Sequence, residues 1–148
     1  MGQSTVEREI VSSRLIDAPR ERVFGAFSDP ERLARWWGPA GFTNTFHQFE
    51  FRPGGRWRFT MHGPGGTDYE NESVFQVIEA PELIVLRHLE PMHAFEMTMT
   101  HAAEGGRTRL TWRMVFDTAE ECAAVRAYIP QANGENFDRL EAELRRAE

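Results

Sequence analysis

Residues 36–61 read WWGPAGFTNTFHQFEFRPGGRWRFTM, from Trp36 to Met61. Eight of the chain's seventeen aromatic residues fall in this stretch, so its large apolar side chains are concentrated here. Two turn signals punctuate it, Gly38-Pro39 and Pro53-Gly54-Gly55. Rings grouped around tight turns predict two paired strands that wall a core or a pocket. In the second strand, residues 56–62, Trp57, Phe59 and Met61 alternate with Arg56, Arg58 and Thr60. A period of two makes one face apolar and the other wet. Residues 42–51 supply the partner strand, across a turn or bulge that depends on glycine.

Toward the C-terminus the same grammar continues. Gly63-Pro64-Gly65-Gly66 turns the chain into a strand over 69–80, where Phe75, Val77 and Ile78 are the strongest apolar members. Pro81-Glu82 leads to residues 83–89. After a loop at 90–94, Phe95, Met97, Met99 and His101 share a face against Glu96, Thr98 and Thr100. Gly105-Gly106 closes a hairpin into 107–116, with Leu110, Trp112, Met114 and Phe116 on one side. The reading is an antiparallel meander of five strands with one buried face. A strand over 7–17 can add a sixth at an edge. The period then changes. Thr118-Ala119-Glu120-Glu121 matches a capping box, and predicts a helix to about Tyr128, interrupted near Pro130. It resumes from about Asn133 with Phe137, Leu140 and Leu144 on one face.

Toward the N-terminus, Pro19 fits the first position of a short helix with Val23, Phe24 and Phe27 as its stripe. Asp29-Pro30 repeats the device for a second helix carrying Leu33, Trp36 and Trp37, which Gly38-Pro39 stops. The whole chain, 1–148, reads as one domain of class α+β, with no repeat or linker.

Composition narrows the function classes. The 148 residues are 41% hydrophobic and 27% charged, an ordinary globular balance. No apolar run approaches the roughly 20 residues of a membrane helix, and the first residues lack the pattern of a signal peptide. A cytoplasmic address is expected. The net charge of −6 disfavours nucleic acid and anionic membrane surfaces. Cys122 is the only cysteine, which excludes an internal disulfide, a zinc ribbon and a Cys-x-x-Cys pair. All seventeen basic residues are arginine, which excludes Schiff-base and P-loop lysine chemistry.

The candidate site is a pocket lined by Trp36, Trp37, Phe42, Trp57, Phe59, Met61, Phe75, Met97, Met99, Trp112, Met114, Phe137 and Leu140. Flexible methionines and indoles whose N–H wants a partner make an adaptable apolar lining, of the kind that takes small apolar ligands. The same rings would also serve as plain core. His101 joins the set as a polar group on the face of Met97 and Met99. The five histidines, His47, His62, His88, His93 and His101, show no metal-ligand spacing, and neither metal nor cofactor is expected. Tyr69, Asn71 and Ser73 share a strand face available to turn inward. No Ser-His-Asp order, paired-carboxylate motif or nucleophile elbow occurs, so the sequence leans away from catalysis. Gly54-Gly55 and Gly65-Gly66 join strands to strands and offer no helix N-terminus to a phosphate.

The ordered set DAPRERVF at 17–24, Asp29-Pro30-Glu31, Arg35-Trp36-Trp37-Gly38-Pro39, Arg52-Pro53-Gly54-Gly55-Arg56-Trp57, Met61-His62-Gly63-Pro64, GRTRLT at 106–111 and Phe137-Asp138-Arg139-Leu140 resembles single-domain proteins similar to the activator of the heat-shock protein 90 ATPase, within the START-like (SRPBCC) superfamily. The resemblance runs from about Arg8 to Leu144. It implies the helix-grip fold, also that of birch-pollen-like allergens: a curved antiparallel sheet around a long C-terminal helix, with two short helices after the first strand. It implies an apolar cavity between sheet and helix, which some branches use for lipids or hormones and others for polyketide cyclase or aromatase chemistry. The functional expectation is binding of a small hydrophobic or amphipathic molecule, with a cyclase-like enzyme and a chaperone-associated stress-response partner as alternatives. The chain lacks the second domain through which the chaperone activator makes its main contact. Asn133 stands where many relatives carry a tryptophan near the start of the last helix. A homodimer through an edge strand or the two short helices is compatible with this order.

Overall fold

The alternation at 56–62 becomes a strand with one dry face: Trp57 and Phe59 are buried while Arg56 and Arg58 stay exposed. The computed structural model describes residues 5–90 and 94–146. After a 3-10 turn, Thr5–Arg8, the order is β1 (Glu9–Ile16), α1 (Arg20–Ser28), α2 (Pro30–Trp36), β2 (Thr43–Phe49), β3 (Arg56–His62), β4 (Asp68–Glu79), β5 (Leu83–Glu90), β6 (Phe95–Glu104), β7 (Arg107–Phe116), α3 (Ala119–Val125) and α4 (Ile129–Arg146). All seven strands join one antiparallel sheet in the order β1-β7-β6-β5-β4-β3-β2. The meander therefore has six strands rather than five, and β1 adds a seventh. Each turn-bounded apolar run, 83–90 and 95–104 included, stands as its own strand. β1 pairs beside β7 because Ile10 and Ile16 must reach the same core as Met114 and Leu110.

Register shifts bend the sheet. They fall between Phe46 and Gln48 in β2, and at Glu72–Ser73 and Phe75–Val77 in β4. An extra residue on one strand sharpens the local twist, and the curl brings β2–β4 round toward α4. The β2–β3 turn is tied to β4, with Gly54 N donating to Phe75 O at 2.7 Å and Phe75 N to Gly55 O at 2.9 Å.

The helices begin near where the sequence places them. Asp29 caps α2, its Oδ1 accepting from Glu31 N at 3.0 Å, with Pro30 in the first turn. Pro19 sits one position earlier than expected, at the cap of α1, without a side-chain hydrogen bond. Thr118 caps α3, its Oγ1 accepting from Glu121 N at 3.1 Å. The C-terminal break differs from expectation: it lies at 126–128, and Pro130 belongs to the first turn of α4. A proline there loses nothing, since its N–H would have had no helical partner.

α4 packs its buried face, Asn133, Asn136, Phe137, Leu140, Glu143 and Leu144, into the curled sheet. From β1, Arg14 reaches across to Asp138 (2.5 Å) and Glu141 (2.8 Å), with its guanidinium 5.5 Å from the Phe137 ring centre. From α2, Arg35 grips Glu143 through two hydrogen bonds of 2.9 and 2.8 Å, and Arg32 adds a third at 3.2 Å. These bonds hold the Glu143 carboxyl below the usual carboxylate range despite its burial. Curved sheet, long C-terminal helix and two short closing helices make the helix-grip arrangement. No described helix is long and apolar enough to cross a membrane.

Candidate functional site

The last turn of α2 and the corner after it form one wall of a cavity. Gly38 takes φ +102°, a left-handed backbone that costs glycine little. A Cβ there would sit 3.2 Å from Met61 Cε, so the corner and β3 approach closely. The corner's carbonyls are collected by α4. Asn136 Nδ2 donates to Trp36 O (2.8 Å) while its Oδ1 accepts from Gly38 N (3.2 Å). Arg139 Nη1 donates to the carbonyls of Trp37, Gly38 and Pro39 at 2.9–3.1 Å, and its Nη2 to that of Arg35 at 2.9 Å. Burial without a carboxylate partner lowers the Arg139 pKa. Asn44 Nδ2 adds bonds to Ala34 O and Trp37 O.

Between this corner, the sheet and the start of α4 lies a cavity of about 550 Å³. The corner contributes Trp37, Gly38, Pro39 and Phe42; β3 and β4 contribute Met61, Tyr69 and Asn71. From β6 and β7 come Phe95, Met97, Trp112, Met114 and Phe116. Val125, Tyr128, Ile129, Ala132, Asn133 and Asn136 close the helical side. Trp37 packs against Trp112 at 5.4 Å between ring centres, and Phe95 against Phe116 at 5.1 Å. A smaller space of about 120 Å³ adjoins it, sharing Trp37, Asn71, Phe95 and Met97 and adding Trp57, Phe59, Ser73, Leu86 and His88.

Of the sequence candidates, Trp37, Phe42, Met61, Met97, Trp112 and Met114 line the larger cavity, and Trp57 and Phe59 the smaller. Trp36, Phe75, Met99, His101, Phe137 and Leu140 line neither and are packed in the core. Trp36 shows why two adjacent indoles part company. Its Nε1 donates to Ala26 O at 3.0 Å and its ring meets Phe27 edge-on at 4.7 Å, anchoring it under α1. Trp37, one residue on, is half-buried and faces the opening. His101 is fully buried beneath Phe24 and Phe27, with ring centres 5.3 and 5.2 Å away, and neither ring nitrogen has a hydrogen-bond partner.

Several lining residues carry no sequence signal of their own. Asn136 looks like an ordinary helix polar until α4 is laid against the sheet, and Asn133 is marked only by the tryptophan that many relatives carry in its place. Val125, Tyr128 and Ile129 reach the cavity only because the helix breaks at 126–128. Tyr69 and Asn71 were legible as an inward strand face by alternation with Glu70 and Glu72.

Of the other described histidines, His88 alone borders this site, in the smaller space. His47 Nε2 bonds Thr60 Oγ1 (2.7 Å), and His62 bridges Thr45 Oγ1 and Asp68 Oδ1, both at 2.8 Å, on the outer face of the sheet. His88 stacks on Phe95 at 4.7 Å. His93 lies outside the described residues. Among the described residues no three metal-ligating side chains converge. Cys122 is buried, its Sγ accepting from Arg126 Nη2 at 3.1 Å.

No curated protein matches the chain. Among solved structures it is similar to a protein from Arthrobacter aurescens, with TM-score 0.88 and 25% identity over 97% of this chain and 90% of that one. A Rhodobacter sphaeroides protein aligns with TM-score 0.87 and 23% identity, over 100% and 97% of the two chains. A Nitrosomonas europaea protein gives TM-score 0.87 at 17% identity, over 99% of each. The latter two attest the fold alone. The sequence pattern of the family described as "Activator of Hsp90 ATPase homolog 1-like protein" matches residues 17–145, and the chain is a member of that family.

Proposed function

We propose that the protein binds one small hydrophobic or amphipathic molecule in the space between the sheet and α4. The observation that carries this reading is the cavity itself: about 550 Å³, walled mainly by aromatic and methionine side chains. That volume falls in the range of pockets that bury small organic ligands. The driving force is removal of apolar surface from water, about 25 cal/mol per Å² before the costs of association. No carboxylate or imidazole is among the described residues lining this larger space; its titratable side chains are Tyr69 and Tyr128, and His88 borders the adjoining smaller space. No feature of the described surface favours a chaperone contact.

The test is native mass spectrometry and thermal shift with a panel of aromatic and lipid compounds, on the wild type and on Ala132→Phe. Ala132 faces the cavity from the first turn of α4, where a phenyl ring would occupy it. A ligand at 100 times its Kd should raise the wild-type Tm by about 5–10 °C. Ala132→Phe should fold with an unliganded Tm close to wild type and show no rise. If no compound forms a one-to-one adduct or shifts the wild type, the reading fails.

A further inference from the structure

The polar atoms of the cavity specify what kind of molecule it takes, and this inference rests on the binding reading above. Among the described residues the lining contains no Asp, Glu, His, Arg or Lys. Arg139 is the cation behind the corner, but it is not a lining residue, and its Nη1 and Nη2 already donate to four backbone carbonyls. A carboxylate or phosphate placed in the cavity would find no counter-charge, and an unpaired buried ion is the costliest group a protein can enclose.

The amides tell the rest. Asn71 Nδ2 donates one of its two hydrogens to Tyr69 O at 3.1 Å, and its Oδ1 receives no donor. Asn133 Nδ2 points at Ser12 Oγ (3.1 Å) and Met114 Sδ (3.7 Å), which likewise leaves Oδ1 without one. Neither oxygen receives a donor from the described residues, and neither belongs to the sealed, unpartnered atoms of the core. The carboxamide of Asn136 and the guanidinium of Arg139 are bonded to the corner, and the lining's other polar atoms are the hydroxyls of Tyr69 and Tyr128, each able to donate and to accept, and the indole N–H groups of Trp37 and Trp112. The cavity therefore presents amide acceptors from both walls, Asn71 on the sheet and Asn133 on the helix. An acceptor left without a donor in a dry pocket costs more than a made hydrogen bond returns.

The geometry points to an uncharged ring compound bearing a hydroxyl or N–H donor, held with that donor on the amide oxygen of Asn133 or Asn71 and its rings among Trp37, Trp112 and Phe95. An anionic lipid or free fatty acid would have to leave its charged head outside the cavity, in water. The stacked and edge-on aromatic walls favour a flat frame over a flexible chain, because rings gain from offset and T-shaped contact beyond area alone.

Calorimetric titration with three matched probes tests this: 2-naphthol, 2-methoxynaphthalene and 2-naphthoate, each against the full chain at neutral pH. The naphthol should bind about 10-fold tighter than the methyl ether, which keeps the frame but removes the donor. The naphthoate should bind at least about 100-fold more weakly than the naphthol. In Asn133→Leu and Asn71→Leu, one of the two should bring the naphthol within about threefold of the ether while ether affinity is retained. The retained ether binding shows that the cavity survives the substitution. Equal binding of ether and naphthol in the wild type, or naphthoate binding as tight as either, overturns the inference and leaves the binding reading standing. If none of the three binds, the binding reading falls and this inference with it.

Discussion

At the scale of the residue, His101 is the feature that the sequence exposed and the structure relocated. Alternation with Met97 and Met99 put it on the apolar face, and there it is. Its distance from the cavity depends on α1, whose Phe24 and Phe27 cover it, and no local pattern in β6 encodes that. Burial, with Arg20 adding to it, pushes the imidazole pKa down from 6.5 to about 4. The carbonyls of Glu82 and Met99 act the other way without forming hydrogen bonds to the ring nitrogens. The folded state thus binds the proton more weakly than the unfolded chain. Above pH 6.5 both carry a neutral ring; as pH falls from 6.5 toward 4 only the unfolded chain is protonated, and stability is lost. The loss attributable to this group is about 3 kcal/mol by pH 4. Carboxylates titrate in the same window, so the readout is a difference: urea unfolding of wild type and His101→Leu at pH 7 and pH 4.5. The leucine variant, rid of two unpartnered nitrogens, should be more stable at pH 7 by about 1–2 kcal/mol. Its advantage should widen at pH 4.5. Parallel losses in the two proteins would mean the ring finds a proton acceptor in the folded state.

At the scale of the element, what was legible was whatever a strand or helix says about itself. Trp57, Phe59 and Met61 announced a dry face, and Asp29-Pro30 and Thr118 with Glu121 announced helix starts. Silent were the residues whose partners lie about 100 positions away. Asn136, Arg139 and Glu143 are polar letters on an amphipathic helix, and only the docked helix makes them the fastening of α2. The β2–β3 turn shows a further layer. Gly54 and Gly55 read alike in sequence as turn glycines, yet they answer to different constraints. Gly54 has φ +82° with open space around it, whereas a Cβ at Gly55 would overlap the Glu50 carbonyl oxygen and lie 2.9 Å from that of Arg52. Gly54→Ala should cost about 1 kcal/mol, the usual penalty of a left-handed alanine. Gly55→Ala should cost more than about 2 kcal/mol, because backbone atoms must move. Thermal melts of the two variants decide the order, and equal losses would show that the turn relaxes freely.

At the scale of the whole molecule, the grip is uneven. From Asn136 to Leu144, α4 is bonded to α1, α2 and β1: Asn136 and Arg139 to the corner, Glu143 to Arg32 and Arg35, Arg14 to Asp138 and Glu141, and Arg22 to the Leu144 carbonyl at 2.9 Å. The fold-level resemblance anticipated sheet, helix and cavity together, but not this gradient along the helix. The gradient comes from where arginines happen to meet carbonyls and carboxylates in three dimensions.

Among the described residues, the first turn of α4 makes no hydrogen bond to another element; Ala132 N returns to Tyr128 O at 3.0 Å, and the turn is held by the packing of Ile129 against the core, with Ile129 and Ala132 both bordering the cavity. Seen as a question of rates, this makes residence time and affinity separate properties. Fraying of one helical turn, a low-energy local opening, would set how fast a guest enters and leaves, without disturbing the fastened end. Amide exchange at 126–132 should therefore be fast in the empty protein and slow markedly on loading, while 136–144 stays protected throughout. Uniform protection along α4 in the empty protein would place the door elsewhere. With its C-terminal half fastened and its first turn loose, the helix closes a container whose floor is the sheet only as tightly as that turn holds.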